Sequence, residues 1–175
     1  IHAGEADGAE SVHSAIKFGT KRIGHGVRSI ESDDVVQELI QNEVALEVCP
    51  KSNLDTGIYE SLDEHPVRKL VDAGVLVTIN TDNRTVSNTS LEYEYDLLRN
   101  TFGFTDVDFV KFNINAINAS FLPDEEKEEL KKQFRAYCVS MHPDKGGDPE
   151  ELKAVSPLYG GLRKSQIIFI TTLKI

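Results

Sequence analysis

A histidine and a glutamate, His2 and Glu5, stand at the start of the chain in Ile1-His2-Ala3-Gly4-Glu5. A second histidine follows in Arg22-Ile23-Gly24-His25-Gly26, and an aspartate closes the run Val75-Leu76-Val77-Thr78-Ile79-Asn80-Thr81-Asp82. Imidazoles and carboxylates are the side chains that ligate a catalytic zinc ion and move protons beside it. Zinc in a hydrolytic site takes nitrogen and oxygen ligands and keeps one position for water, whose pKa it lowers toward about 7. His2 and Asp82 are the candidate ligands. Glu5, close to His2, is a candidate proton donor, and His25 would orient the hydroxide or stabilise charge on it. Singly, each residue has an ordinary explanation: a hydrogen-bonded histidine at a strand end, a glutamate beside a helix start, an aspartate in a turn. The case rests on the set, and so on elements that bring the set together.

Such elements are legible. Residues 8–18 read as a helix, with Val12, Ala15 and Ile16 on one side, and 22–24 as a short strand. Residues 33–43 carry Val35, Val36, Leu39 and Ile40 at helical spacing, and the strand 45–49 is stopped by Pro50. A polar loop follows. His65-Pro66 opens a helix that runs through Val67, Leu70 and Val71 to Gly74, with proline early and glycine last. Residues 75–80 are apolar and β-branched, as a strand buried on both faces requires. Strands alternating with helices predict parallel β-α units, whose chemistry sits at the carboxyl ends of the strands. His2, His25, Cys49 and Asp82 all fall there. Beyond Asp82 the reading is helical, over 91–99, 106–120 and 123–139. The last of these places Glu125, Glu126, Glu128 and Glu129 before Lys131, Lys132 and Arg135, the order that suits a helix dipole.

Composition narrows the partners. The 175 residues are 39% hydrophobic and 27% charged, as in an ordinary soluble globular protein. A net charge of −10, from 29 acidic and 19 basic residues, argues against a nucleic-acid backbone as partner. No apolar run approaches the roughly 20 residues that span a bilayer, and the start has no signal-peptide pattern. Cys49 and Cys138 stand in no Cys-x-x-Cys pair, so a zinc knuckle or redox pair is not expected. A reduced, cytoplasmic setting is the default expectation. Residue 1 is not methionine, and the reading expects sequence before it.

The combination of His2-Ala3-Gly4-Glu5, Arg22-Ile23-Gly24-His25-Gly26, Glu47-Val48-Cys49-Pro50 with Ser52-Asn53, and Asn80-Thr81-Asp82-Asn83 with Ser87 and Thr89 resembles the adenosine deaminase family. The resemblance continues through Asn115-Ala116 and Ser120-Phe121-Leu122-Pro123 into the acidic helix, and covers residues 1–137. It implies an α/β fold: the C-terminal half of a (β/α)8 barrel, strands five to eight with their helices, followed by C-terminal helices. It also implies zinc-dependent hydrolysis of the C6 amino group of adenosine, or 2′-deoxyadenosine, to give inosine, or its deoxy form, and ammonia. On that resemblance His2 ligates zinc from the fifth strand, and Glu5 protonates the purine ring. His25, on the sixth, positions and activates hydroxide, and Asp82, on the eighth, contacts zinc and hydroxide. Gly4 and Asn83 bind substrate, Asn83 facing the purine N7, where many animal members carry aspartate.

Adenine deaminases share the opening motif but usually have aspartate in place of Gly24 and Asp-Asp-Pro in place of Asp82-Asn83-Arg84, which favours the nucleoside. The family's His-x-His zinc pair and upstream glycines do not occur here. The expectation is therefore a polypeptide with two of four protein ligands and unpaired sheet edges, inactive and poorly stable alone. Residues 138–175 form a separate tail. Within it His142-Pro143-Asp144 resembles the J-domain tripeptide, which implies contact with an Hsp70 chaperone, although Ser156-Pro157 interrupts the helix expected after it.

Overall fold

The structure is a computed structural model that describes residues 1–140, with side chains as far as Phe134. Four strands, β1 (His2–Ala3), β2 (Arg22–His25), β3 (Ala45–Val48) and β4 (Leu76–Ile79), form one parallel sheet in chain order. Three connections carry helices: α1 (Ala9–Lys17) after β1, α2 (Asp33–Gln41) after β2, and α3 (Pro50–Asp55) with α4 (Val67–Asp72) after β3. Parallel neighbours require such crossovers, because a tight turn returns the chain only antiparallel. This is the expected α/β fold, a run of consecutive β-α units from a (β/α)8 barrel.

Register places the strand ends side by side. His2 pairs with Gly24 and Ala3 with His25, Gly24 with Glu47, and Val48 with Ile79. The core forms between strands and helices: Ile23, Leu46, Val77 and Ile79 from the sheet, and Val12, Val36, Leu39 and Leu70 from the helices. The near-continuous burial of the strands explains why they read as apolar runs rather than alternating ones. The Ser32 hydroxyl caps α2, accepting from the Val35 N–H, and α5 (Leu91–Phe102) is capped in the same way by Ser90 and closed by Gly103 in a left-handed conformation.

One segment departs from the sequence reading. The stretch after Pro50 is not simply a polar loop: it winds into α3, six residues long, before a 3₁₀ turn at Leu62–Glu64. Pro50 sits in its first turn, where the missing N–H costs nothing. Six residues make too short a periodic pattern to detect, and tertiary contacts hold this helix.

The described residues divide into two compact units, the first Ile1–Gly103 and the second from Phe104 on. In the second, α6 (Asp106–Ala119) starts with a capping box, Thr105 and Asp108 each satisfying the other's backbone N–H. The rings of Phe104, Phe109 and Phe112 meet in tilted and edge-on contacts. Ile114 and Ile117 pack with Phe134 of α7 (Asp124–Ser140). No described helix is long and apolar enough to cross a membrane. His142, Pro143 and Asp144, on which the chaperone expectation rests, lie outside the described residues.

Candidate active site

The site is built from four strand ends of the first unit. Two left-handed residues end β2, His25 at φ +63° and Gly26 at φ +68°, and Asp82 beyond β4 has φ +53°. A side chain with positive φ is held against a steric cost of about 1 kcal/mol or more, so the surroundings must fix it. At His25 they do. The ring is 2% exposed and its Nε2 lies 3.3 Å from Glu5 Oε2. Its Nδ1 is 3.1 Å from the Asn53 amide nitrogen. Burial lowers the pKa of His25, opposed by the charges of Glu5 and Asp82.

His2 lies on the adjacent strand with its ring 5.4 Å from that of His25, centroid to centroid. Glycine at 24 makes this possible: a β-carbon there would stand 3.2 Å from His2 Nε2. Gly4 plays a similar part in the turn out of β1. It has φ +66°, and a β-carbon would come within 2.5 Å of Val12 Cγ2 and 2.9 Å of the Gly26 backbone. The Gly4 N–H donates to Ser11 Oγ at 2.8 Å, and its carbonyl accepts from the Arg28 N–H at 3.0 Å.

Asp82 Oδ2 accepts from the Ser52 hydroxyl at 2.9 Å. Asn83, next along and exposed, folds its Oδ1 back onto the N–H groups of Thr85 and Val86, at 3.2 and 3.1 Å. This turn engages the amide oxygen and not the NH₂. The Cys49 thiol is buried and donates to the Glu47 carbonyl at 3.4 Å, and burial raises its pKa well above the usual thiol value. It therefore stays protonated and offers neither nucleophile nor ligand.

The structure thus brings Glu5, His25 and His2 together and adds residues to which the sequence reading gave no role. Asn53 and Ser52, both on α3, hold His25 and Asp82. Beneath α3 lies Glu94 of α5, 0% exposed, accepting from the Lys51 N–H at 3.0 Å and from the Thr89 hydroxyl at 2.7 Å. Burial pushes this carboxyl up to about 7, against the pull of those two donors. The folded pKa then exceeds the unfolded one, so the folded protein holds the proton more tightly. The associated stability is complete below about pH 4.5 and is lost as the pH rises through about 7. The unfolding free energy should fall between pH 5 and 8 by up to roughly 3 kcal/mol, read from denaturant midpoints at constant slope. Glu94→Gln, which keeps an acceptor for Lys51 and a donor for Thr89, should flatten that slope; an unchanged slope assigns it to another group.

Zinc needs several donors, and among the described residues no cluster of three or more histidine, cysteine, aspartate or glutamate side chains is placed to hold a metal ion. His2 and Asp82 are donors of the right type, but two are too few for a protein zinc site.

Comparisons with known proteins point to one family. Residues 1–137 match the family model described as adenosine deaminase. The chain is 40% identical over 142 residues to the adenosine deaminase of Lacticaseibacillus casei (strain BL23), an alignment covering 79% of this chain and 42% of the relative. It is 45% identical over 131 residues to an adenine deaminase of Rhizobium johnstonii, covering 74% and 41%. The crystal structure of an adenine deaminase from Arthrobacter aurescens superposes with a TM-score of 0.71 at 27% identity, over 87% of this chain and 42% of that one. The chain therefore spans about two fifths of the length of these relatives. With a family match over residues 1–137 and a strand-end site built from the motifs that carry it, the chain belongs to the adenosine deaminase family.

Proposed function

We propose that this chain supplies the acid, the water-positioning groups and part of the metal site for hydrolytic deamination of adenosine to inosine and ammonia. One observation carries the reading: Glu5 and His25, brought from successive strand ends, share a contact beside His2. A proton donor next to a neutral imidazole is what addition of water to a purine C6 needs. In the proposal Glu5 gives its proton to the ring nitrogen beside C6 as the water oxygen bonds to that carbon. His25 donates a hydrogen bond to the incoming oxygen. Asp82, held by Ser52 through one oxygen, takes a proton from the attacking water through the other. Asp82 returns that proton to the amino group, which leaves as ammonia as the C6 hydroxyl gives its remaining proton back to Glu5 and C6 gains a double bond to oxygen.

Gly4 lets the turn out of β1 pack against Gly26 and so sets the backbone that carries Glu5 into the site, and Asn83 presents its NH₂ to the purine N7, an acceptor. His2 and Asp82 are proposed as two ligands of a zinc ion, which when bound would lower the pKa of the attacking water. The donor set described here does not hold that ion alone, so no step above depends on it.

The relatives include adenine deaminases, and Gly24 separates the two substrates in the proposal. The aspartate that adenine deaminases usually carry there would press on His2, whose ring would lie 3.2 Å from a β-carbon at that position. The test is a chimera in which residues 1–137 replace the matching segment of the Lacticaseibacillus casei enzyme. Zinc-loaded chimera should release ammonia from adenosine with a higher kcat/KM than from adenine. The reverse preference would make the chain an adenine deaminase segment, and turnover of neither would overturn the reading.

A further inference from the structure

Three side chains, His25 at the end of β2, Asn53 on α3 and His65 in the turn before α4, form a chain of hydrogen bonds in which every proton has one possible place. At its far end the Val67 N–H, at the start of α4, is 3.2 Å from His65 Nδ1. A backbone N–H only donates, so His65 Nδ1 carries a lone pair. His65 is 2% exposed, and burial lowers its pKa to about 4, so the ring is neutral and its proton sits on Nε2. That Nε2 lies 3.1 Å from Asn53 Oδ1 and donates to it. The Asn53 side chain, 0% exposed, is thereby fixed in one of its two flip states. Its NH₂ faces His25 Nδ1 at 3.1 Å and donates in turn. His25 Nδ1 is left as an acceptor, and the proton of the neutral ring sits on Nε2, 3.3 Å from Glu5 Oε2.

We infer that Asn53 and His65 are positioning residues that hold His25 in its Nε2–H tautomer, with that nitrogen 3.3 Å from Glu5 Oε2. The reverse sense of the chain is excluded at Val67, where nothing can accept. The inference deepens the proposed function, since it assumes that His25 acts there. It specifies how: in its resting state His25 is a hydrogen-bond donor to the site, not a base. Groups one step removed from a reacting side chain commonly change activity by 10- to 100-fold when they are lost.

The test is the nitrogen-15 NMR spectrum of the histidine rings in the uniformly labelled 175-residue chain. His25 and His65 should each show a pyridine-type Nδ1 and a pyrrole-type Nε2. Asn53→Asp keeps the shape but accepts on both sides, and should convert His25 Nδ1 to the pyrrole type. A pyrrole-type Nδ1 on His25 in the unaltered chain, or no change in Asn53→Asp, overturns the proposal. If Asn53→Asp does not fold, two substitutions at 65 decide. His65→Gln, whose amide still donates to Asn53, should preserve the His25 tautomer, and His65→Leu should give a mixture; the same spectrum from both overturns it. These readouts do not depend on turnover. An inactive chimera with the expected tautomers sinks the proposed function and leaves the relay standing.

Discussion

Glu5→Gln in the chimera should lower kcat for adenosine by about 10³-fold, within the 10²- to 10⁴-fold range of a lost general acid. Glutamine is nearly isosteric with glutamate and still offers an oxygen to His25 Nε2–H, so the 3.3 Å contact survives the change. What disappears is the transferable proton. KM should change little, because glutamine keeps the size of glutamate and a polar group at the same place. Zinc content, measured by elemental analysis, should match the parent, because Glu5 is not among the proposed ligands. A fall of less than tenfold would remove Glu5 from the acid role. A large fall together with lost metal would make it a ligand instead.

Gly4→Ala should destabilise the chain by about 2–4 kcal/mol. Two costs add: about 1 kcal/mol for a β-carbon at positive φ, and about 1–3 kcal/mol for forcing it into packed atoms. At Gly4 the added carbon meets Val12 Cγ2 at 2.5 Å and Gly26 Cα at 2.9 Å, and the second of these is backbone that cannot rotate away. Gly19 separates the costs, because it shares the positive φ, +76°, but has nothing within 4 Å. Gly19→Ala should therefore lose only about 1 kcal/mol. Both are read from denaturant midpoints at constant slope. Equal losses at the two positions would mean that the turn out of β1 does not approach Gly26 as closely as described. Because Gly26 follows His25, the same variant should also disturb the site.

The sequence made the strands and their ends legible because β2, β3 and β4 are buried on both faces and bounded by helices with clear periodicity. It also offered His2, Glu5, His25 and Asp82, whose types announce their chemistry. It did not reveal how they are held. Asn53 meets His25 across 28 residues of chain, Ser52 meets Asp82 across 30, and Glu94 meets Lys51 across 43. Serine and asparagine in a polar stretch have no spacing that distinguishes a holding role from a turn. His65 was readable only as the residue before a helix-opening proline; its part in the relay follows from burial and from the one-way chemistry of the Val67 N–H. α3 itself, six residues long, was hidden by the same polar composition, although Pro50 marked its start. Cys49 shows the converse: the reading placed it at a strand end with the others, and the structure shows a buried, protonated thiol that faces inward.

The left-handed backbone at His25 and Asp82 has a consequence for when the work of ordering is done. Both side chains are aimed by the backbone of the folded chain itself, and the strain is held by packing around Gly26 and by the bonds from Asn53 and Ser52. A ligand entering such a rim meets groups already immobilised, so it does not have to quench their rotation. The entropy of arranging these two side chains is thus charged to the folding equilibrium of the chain, and association retains more of the free energy of its contacts.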